Sequence, residues 1–543
     1  AETCQDAQTE LLSRTSLEVS YADVRDLRPI ATLTHLQMLT LMGNPIDDLS
    51  PLTNLHQLVT LSVGDSAISD LSPLRGMTKL KSLSLSGNQI QDLTPLAALT
   101  GLEDLFLSEN QIQDLQPLAG LTQLTGLAVD NNAIAELTPL SRMTQLYTLY
   151  AEGNQIQDLT PLAQLPILTE LSLRDNQIQD LSPLQSLPLT YVLLDSNQIT
   201  DLTPLTAIAS LSSISADDNA IATLPDLTGL PQLITLSLQA NIIEDLTPLK
   251  SLPSLRWLNL NANAIQDIAP LAFLPELHTL SLNNTALIGY HNGTETRSFQ
   301  GNNFVTDLSP LQNIPYLSEL SVQDNGVDDL TPLASMDALR LLDLSRNGVT
   351  DIQPLSALLT LNTLNLAGNQ ISDISPLANL TQPFGLFSLD LSFTQLSDLR
   401  QLPIFPQLYT LKLRGNGIAD LTPLDQFPEL MELDLSANQI TDLSPLATLF
   451  NLNDLDLGSN QIRDVQPLAT LSNLRTLSLF DNQLEDVSPL TALQTLNELS
   501  LSFNHVQNVR PLAGLTELYQ LALVKNNVRD VSPLAPLVNL EYL

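Results

Sequence analysis

The sequence predicts an α/β solenoid, a curved arc of short coils with a parallel β-sheet on the concave face and short 3-10 or helical turns on the convex face. Three observations predict it. The nonapeptide NQIQDLTPL at 88–96 returns unchanged at 154–162. Variants of it begin at Asn110, Asn132 and Asn176, so the repeat step is 22 residues. Aligned on the asparagine, the unit LxxLxLxxNxIxDL(S/T)PLxxLxx occurs 23 times. The 543 residues therefore count coils, not domains.

Each part of the unit has a physical reason. Residues 1–16 precede the first repeat, and Cys4 to Arg14 is expected to form a short helix whose Leu11 and Leu12 cover the first coil. From 17 to 543 the repeats follow one another. In LxLxx, as at Leu83-Ser84-Leu85-Ser86, side chains alternate inward and outward, which makes a short strand that is stable only when stacked on its neighbours. Asparagine fills its column in 19 of 23 copies, the others being Ala22, Ser66, Thr285 and Thr394. A buried carboxamide offers two donors and an acceptor to backbone that turns away from a strand. The Ser/Thr-Pro pair, as in Thr94-Pro95 and Ser182-Pro183, places an N-cap hydroxyl before a proline that opens a helical turn.

The aspartate column from Asp26 to Asp530 holds 20 of the 59 acids. Stacked carboxylates suggest a calcium ladder. The plainer reading, preferred because the motif lacks the glycines and dense carboxylates of calcium loops, is an Asx turn onto the amide two residues on. No cofactor or metal is otherwise expected. The 22-residue step fails in three places: one residue short before Asn197, three extra before Thr394, and 18 extra between Thr285 and Asn325, assigned to roughly 287–304.

Composition narrows the partners. With 21 Lys plus Arg against 59 Asp plus Glu, the net charge of -38 repels nucleic acid and anionic lipid. The single Cys4 forms no internal disulfide, and no apolar run approaches the roughly 20 residues that span a bilayer. A start at Ala1 without methionine fits a processed or cut chain, so export is expected. Leu540 and Leu543 open a repeat that does not complete, so continuation or a covering partner is expected there.

The unit NxIxDL(S/T)PL at 22-residue spacing resembles the leucine-rich-repeat family, and within it the internalin-type subclass of bacterial surface proteins and the phosphatase-1 regulatory subclass. The resemblance runs over 17–543 and implies that the strand-lined concave face grips another protein. Departures from internalins are the short first segment and the absence of a following immunoglobulin-like module or sorting motif.

Outward strand positions are the candidates for binding. Serines such as Ser62, Ser84, Ser172 and Ser215 dominate the central outward column. Against them stand Phe106, Tyr150 and Leu193, with Tyr191 and Trp257 two residues earlier in their own strands. Large residues in a small-residue field have the character of interface anchors, although single exposed aromatics are also ordinary surface. A second patch, Asp343, Asp390, Asp434 and Asp456 with Glu432 and Asp454 beside them and Lys412 among them, would attract a basic partner, or is a solvated acidic face. Partner binding that ignored salt would eliminate it. The inserted segment adds Tyr290, His291, Arg297 and Phe299, either a functional loop on a rigid scaffold or a tolerated insertion.

The five histidines lie in different repeats, and no zinc, nucleophile-elbow or phosphate-loop pattern occurs. The sequence thus points to a non-enzymatic, extracellular or cell-surface module that binds a protein or peptide. A passive structural repeat, or the sensor region of a longer enzyme, is the alternative.

Overall fold

The computed structural model describes residues 14–289, 296–381 and 385–543. The expected cap helix from Cys4, and Tyr290 and His291, lie outside them. The chain divides into two compact units, Ala1–Ala264 with Thr285–Asn302, and Ile265–Asn284 with Asn303–Leu543. In the first, parallel three-residue strands run from Ser16–Glu18 to Trp257–Asn259; in the second, from Thr279–Ser281 to Gln520–Ala522.

One buried aliphatic residue at mid-strand, usually leucine, holds each unit together. In Thr60–Ser62 and Ser82–Ser84 only the middle residue is buried, and Leu39, Leu61, Leu83 and Leu105 stand in register with no exposure. At about 25 cal/mol per Å² of apolar surface, columns of this kind provide the main drive to stack. Each strand ends where the chain must enter the left-handed region, at glycine in Gly43 and Gly87 but also at Asp65 and Glu109, with φ of 52° and 57°. Non-glycine residues are strained there, and the next residue offsets the strain. Asn44 accepts from the Ala22 and Val24 amides at 3.1 and 2.9 Å and donates to the Val19 and Leu41 carbonyls at 2.7 and 2.9 Å. One side chain thereby closes its own turn and staples it to the preceding coil.

The aspartate column forms Asx turns: Asp92 accepts the Thr94 amide, and Asp245 the Thr247 amide, both at 2.8 Å. This corrects the expected cap. In the turns Thr94–Ala98 and Ser182–Leu184 the Ser or Thr is the first residue of a 3-10 turn and caps nothing with its hydroxyl; the aspartate two residues earlier takes its N–H. A carboxylate is the stronger acceptor for such an orphan amide. No helix among the described residues is long and apolar enough to cross a membrane, and no group of three or more potential metal ligands occurs among them.

The insertion is displaced from its expected position. Residues Thr285–Gly289 and Thr296–Gln300 pair as an antiparallel hairpin, and the ladder residue of that coil is Asn303, not Thr285. Asn303 accepts the Ile265 amide at 2.9 Å and donates to the Leu282 and Asn283 carbonyls at 3.3 and 3.0 Å. The 18 added residues are therefore 285–302, and NFVTDLSPL at 303–311 is a regular unit whose Asp307 takes the Ser309 amide at 2.8 Å.

Candidate functional site

Within the first unit the outward positions of successive strands build one continuous face. Tyr150 ends the strand Thr148–Tyr150, Glu170 begins Glu170–Ser172, and Tyr191 begins Tyr191–Leu193. Parallel register brings the three together: the Tyr150 hydroxyl donates to Glu170 at 3.1 Å. Both rings are half-buried, and burial comes first among the causes that raise both phenol pKa values. For Tyr150 the Glu170 carboxylate adds to this; for Tyr191 the Arg174 guanidinium works against it.

Two residues past each strand end lies a column that sequence reading passed over: Asp130, Glu152, Arg174, Asp195 and Asp217. Its carboxylates are buried and bonded across coils. Asp130 accepts the Glu152 amide at 2.9 Å, and Asp195 accepts the Asp217 amide at 2.8 Å and pairs with Arg174. Asp217 accepts the Gln239 backbone and side-chain N–H groups at 2.9 and 2.8 Å. Desolvation, then the neighbouring Asp195 charge, pushes the Asp217 carboxyl up to about 7. The signal was present in the sequence as four acids and one arginine in five successive copies of one column.

The hairpin borders this face. Ala286, Ile288 and Phe299 pack on Ala240 and Ala262, which occupy the left-handed position before the ladder asparagine. Gly301 follows at the hairpin base, where a Cβ would stand 2.4 Å from the Ala262 Cα. Cross-strand pairing puts Arg297 beside Ile288 on the same side of the hairpin. Its charge reaches Asp175, whose pKa burial raises and Arg297 lowers, with Asp218 raising it further.

The other predicted residues separate clearly. Phe106 is exposed at 39% and Trp257 is partly exposed, as their columns require. Leu193 is not an exposed anchor: it is 7% exposed, between the buried Ser172 and Ser215 with which it pairs. Phe299 is partly buried, packing on the cluster of Ala240, Ala262, Ala286 and Ile288, and so helps to hold the hairpin. The acidic patch of the second unit bonds largely to its own backbone. Asp390, Asp434 and Asp456 each accept the amide two residues on at 2.8 Å, and Lys412 pairs with Glu432 at 2.8 Å.

Comparison with known proteins places these features. Models described as Leucine Rich repeats (2 copies) match residues 56–98, 78–120, 100–142, 337–379, 428–470, 450–492 and 472–514, and a Leucine Rich repeat model matches 164–181. Among solved structures, the plant peptide hormone receptor RGFR1 in complex with RGF2 is 19% identical at a TM-score of 0.55, over 98% of this chain and 95% of that one. The TLR13–ssRNA13 complex is 21% identical at a TM-score of 0.53, over 96% and 87%. Internalin C2 of Listeria monocytogenes is 39% identical over 36% of this chain and 84% of its own, with a TM-score of 0.34. No curated protein sequence gives a significant match.

Proposed function

Since the chain belongs to the leucine-rich-repeat family, with internalin-like units, we propose that it is a non-catalytic recognition module seating a peptide or protein segment on the strand face of the first unit. The observation that carries this reading is the run Tyr150, Glu170 and Tyr191 in adjacent coils, with Trp257 further along the same sheet. Two ring faces around a carboxylate suit an arginine or lysine side chain, which gains cation–π and ionic contact together. The fold does not choose the ligand class, because similar structures include one with a peptide hormone receptor and one with single-stranded RNA. Charge chooses: -38 disfavours a polyanion and favours a basic segment. Peptide capture of this kind suits a protein working outside the cell or at its surface, as does the likeness of the fold to a peptide hormone receptor.

The test is to select peptides from a displayed random library on the intact protein, then measure them on a Tyr150→Ala, Trp257→Ala double variant and on a 285–302 deletion. Basic peptides that lose at least tenfold on the double variant support the reading. A deletion of 287–304 would be uninformative, since it removes Asn303. Under the passive-repeat alternative no peptide is enriched, and that result overturns the proposal.

A further inference from the structure

The residue immediately before each strand forms a column of its own. In the second unit its amides donate to the carbonyls of the preceding coil at 2.8–2.9 Å, from Arg340 through Phe387, Tyr409 and Met431 to Arg475, so these side chains rise in strict register. Three successive coils place Phe387, Tyr409 and Met431 there, the last two 42% and 43% exposed and the two rings 5.9 Å apart. No other three successive coils carry large apolar residues in this column. Asn362 and Asn453 follow on either side, and Arg340 and Arg475, both exposed, close the ends. Neither arginine forms an ion pair among the described residues. Two depressions lie along the strip, of about 260 Å³ beside Arg340, Asn362 and Phe387 and about 400 Å³ beside Tyr409, Met431, Asn453 and Arg475.

We propose that this strip is a second docking surface, for an extended protein segment with an apolar centre and a carboxylate near each end. Six coil steps at about 4.8 Å separate the arginines by roughly 29 Å, which an extended chain spans in about nine residues. The apolar centre covers Phe387, Tyr409 and Met431. An extended segment leaves its own amides and carbonyls unpaired, and Asn362 and Asn453 supply donors and acceptors on both sides of that centre. Glu432 and Asp454, which follow Met431 and Asn453 in the chain, lie in coils between the arginines and disfavour acids in the middle of the segment, leaving its carboxylates to the arginines. In a protein with 21 cations against 59 acids, two arginines without an ion pair among the described residues, bracketing an apolar triplet exposed at Tyr409 and Met431, are what selects this ligand over a basic one.

The probe is a fluorescent synthetic decapeptide with Asp at positions 1 and 10, Leu and Phe at 4 to 7, and Gln or Ser elsewhere. Its anisotropy is measured on the full chain. Saturable binding is expected, weakened about tenfold by Arg340→Ala with Arg475→Ala, and as strongly by Tyr409→Ala. A decapeptide with Lys at both ends should bind more weakly than the Asp form. Equal or tighter binding of the Lys form, unchanged binding to the double arginine variant, or no saturable binding overturns the proposal. Circular dichroism of each variant separates lost binding from lost folding. The Tyr150→Ala, Trp257→Ala variant, altered only in the first unit, should bind the probe normally, so failure here and failure of the first site are distinguishable.

Discussion

Replacing Asn303 by alanine tests the repeat boundary and its energetics together. The Ile265 amide, buried and accepted by Asn303 at 2.9 Å, loses its acceptor. An orphaned buried donor costs about 1–3 kcal/mol. The two bonds that Asn303 donates add about 0.5–1.5 kcal/mol each, at the low end for the Leu282 carbonyl, which keeps the Asn325 amide at 3.0 Å. The expected loss is about 2–5 kcal/mol. Thr285→Ala, at the position the periodicity singles out, should stay within about 0.5 kcal/mol. Hydrogen exchange suits the assay because a repeat array need not unfold in two states: the Ile265 amide should lose protection in the Asn303 variant and keep it in the Thr285 variant. An equal loss in both, or none in the Asn303 variant, would refute the assignment.

Asp217 holds its proton up to about pH 7 when folded but only to about 3.8 when unfolded, so its contribution to stability falls as pH rises between those values. Asp217→Asn should therefore gain on the parent between pH 4 and pH 8, by up to about 4 kcal/mol, read from the exchange of the Gln239 amide; a gap that does not change with pH contradicts this. The Asx-turn carboxylates run the other way. Hydroxyl and then amide donors hold Asp92, Asp158, Asp245 and Asp442 below the usual carboxylate range, and Arg28 holds Asp26 at about 2. Their stabilisation is complete above pH 3.8 and is lost as pH falls through the folded values, so melting temperature should drop steeply in that window, which a pH series of thermal melts measures. Gly301→Ala should displace the hairpin from Ala262, because the obstruction is backbone, and make its strands Thr285–Gly289 and Thr296–Gln300 more sensitive to protease without altering the decapeptide's binding.

Periodicity made the coil legible because three of its columns leave little choice of residue: a leucine at mid-strand, an asparagine at the turn, an aspartate two residues before the Ser or Thr. What it hid is instructive. The 18-residue insertion was shifted because counting forward in steps of 22 from Asn263 lands on Thr285, whereas the motif NFVTDLSPL resumes at Asn303. Turn motif, not spacing, sets the register. Leu193 was misjudged because column parity gives the direction of a side chain but not how much of it stays exposed. Arg174 and Asp195 went unnoticed because their column lies past the strand, where a three-residue element gives parity no further hold.

The acid excess also reads differently at the two distances that matter for binding. In the second unit Asp434 bends its own chain by taking the Ser436 amide; in the first, Asp195 staples coils by taking the Asp217 amide. Both uses consume acceptor capacity while leaving the charge in place. Charge acts through the field over about a Debye length, roughly 8 Å at physiological salt, and so governs the approach of a partner. Short-range specificity needs groups whose bonds are not already taken. On the strand face that role falls to the ring faces of Tyr150, Tyr191 and Trp257, and before the strands to Arg340, Tyr409 and Arg475. Salt should accordingly slow association with a basic partner while leaving its dissociation nearly unchanged, and stopped-flow measurements that instead found faster dissociation would return the carboxylates to the centre of recognition.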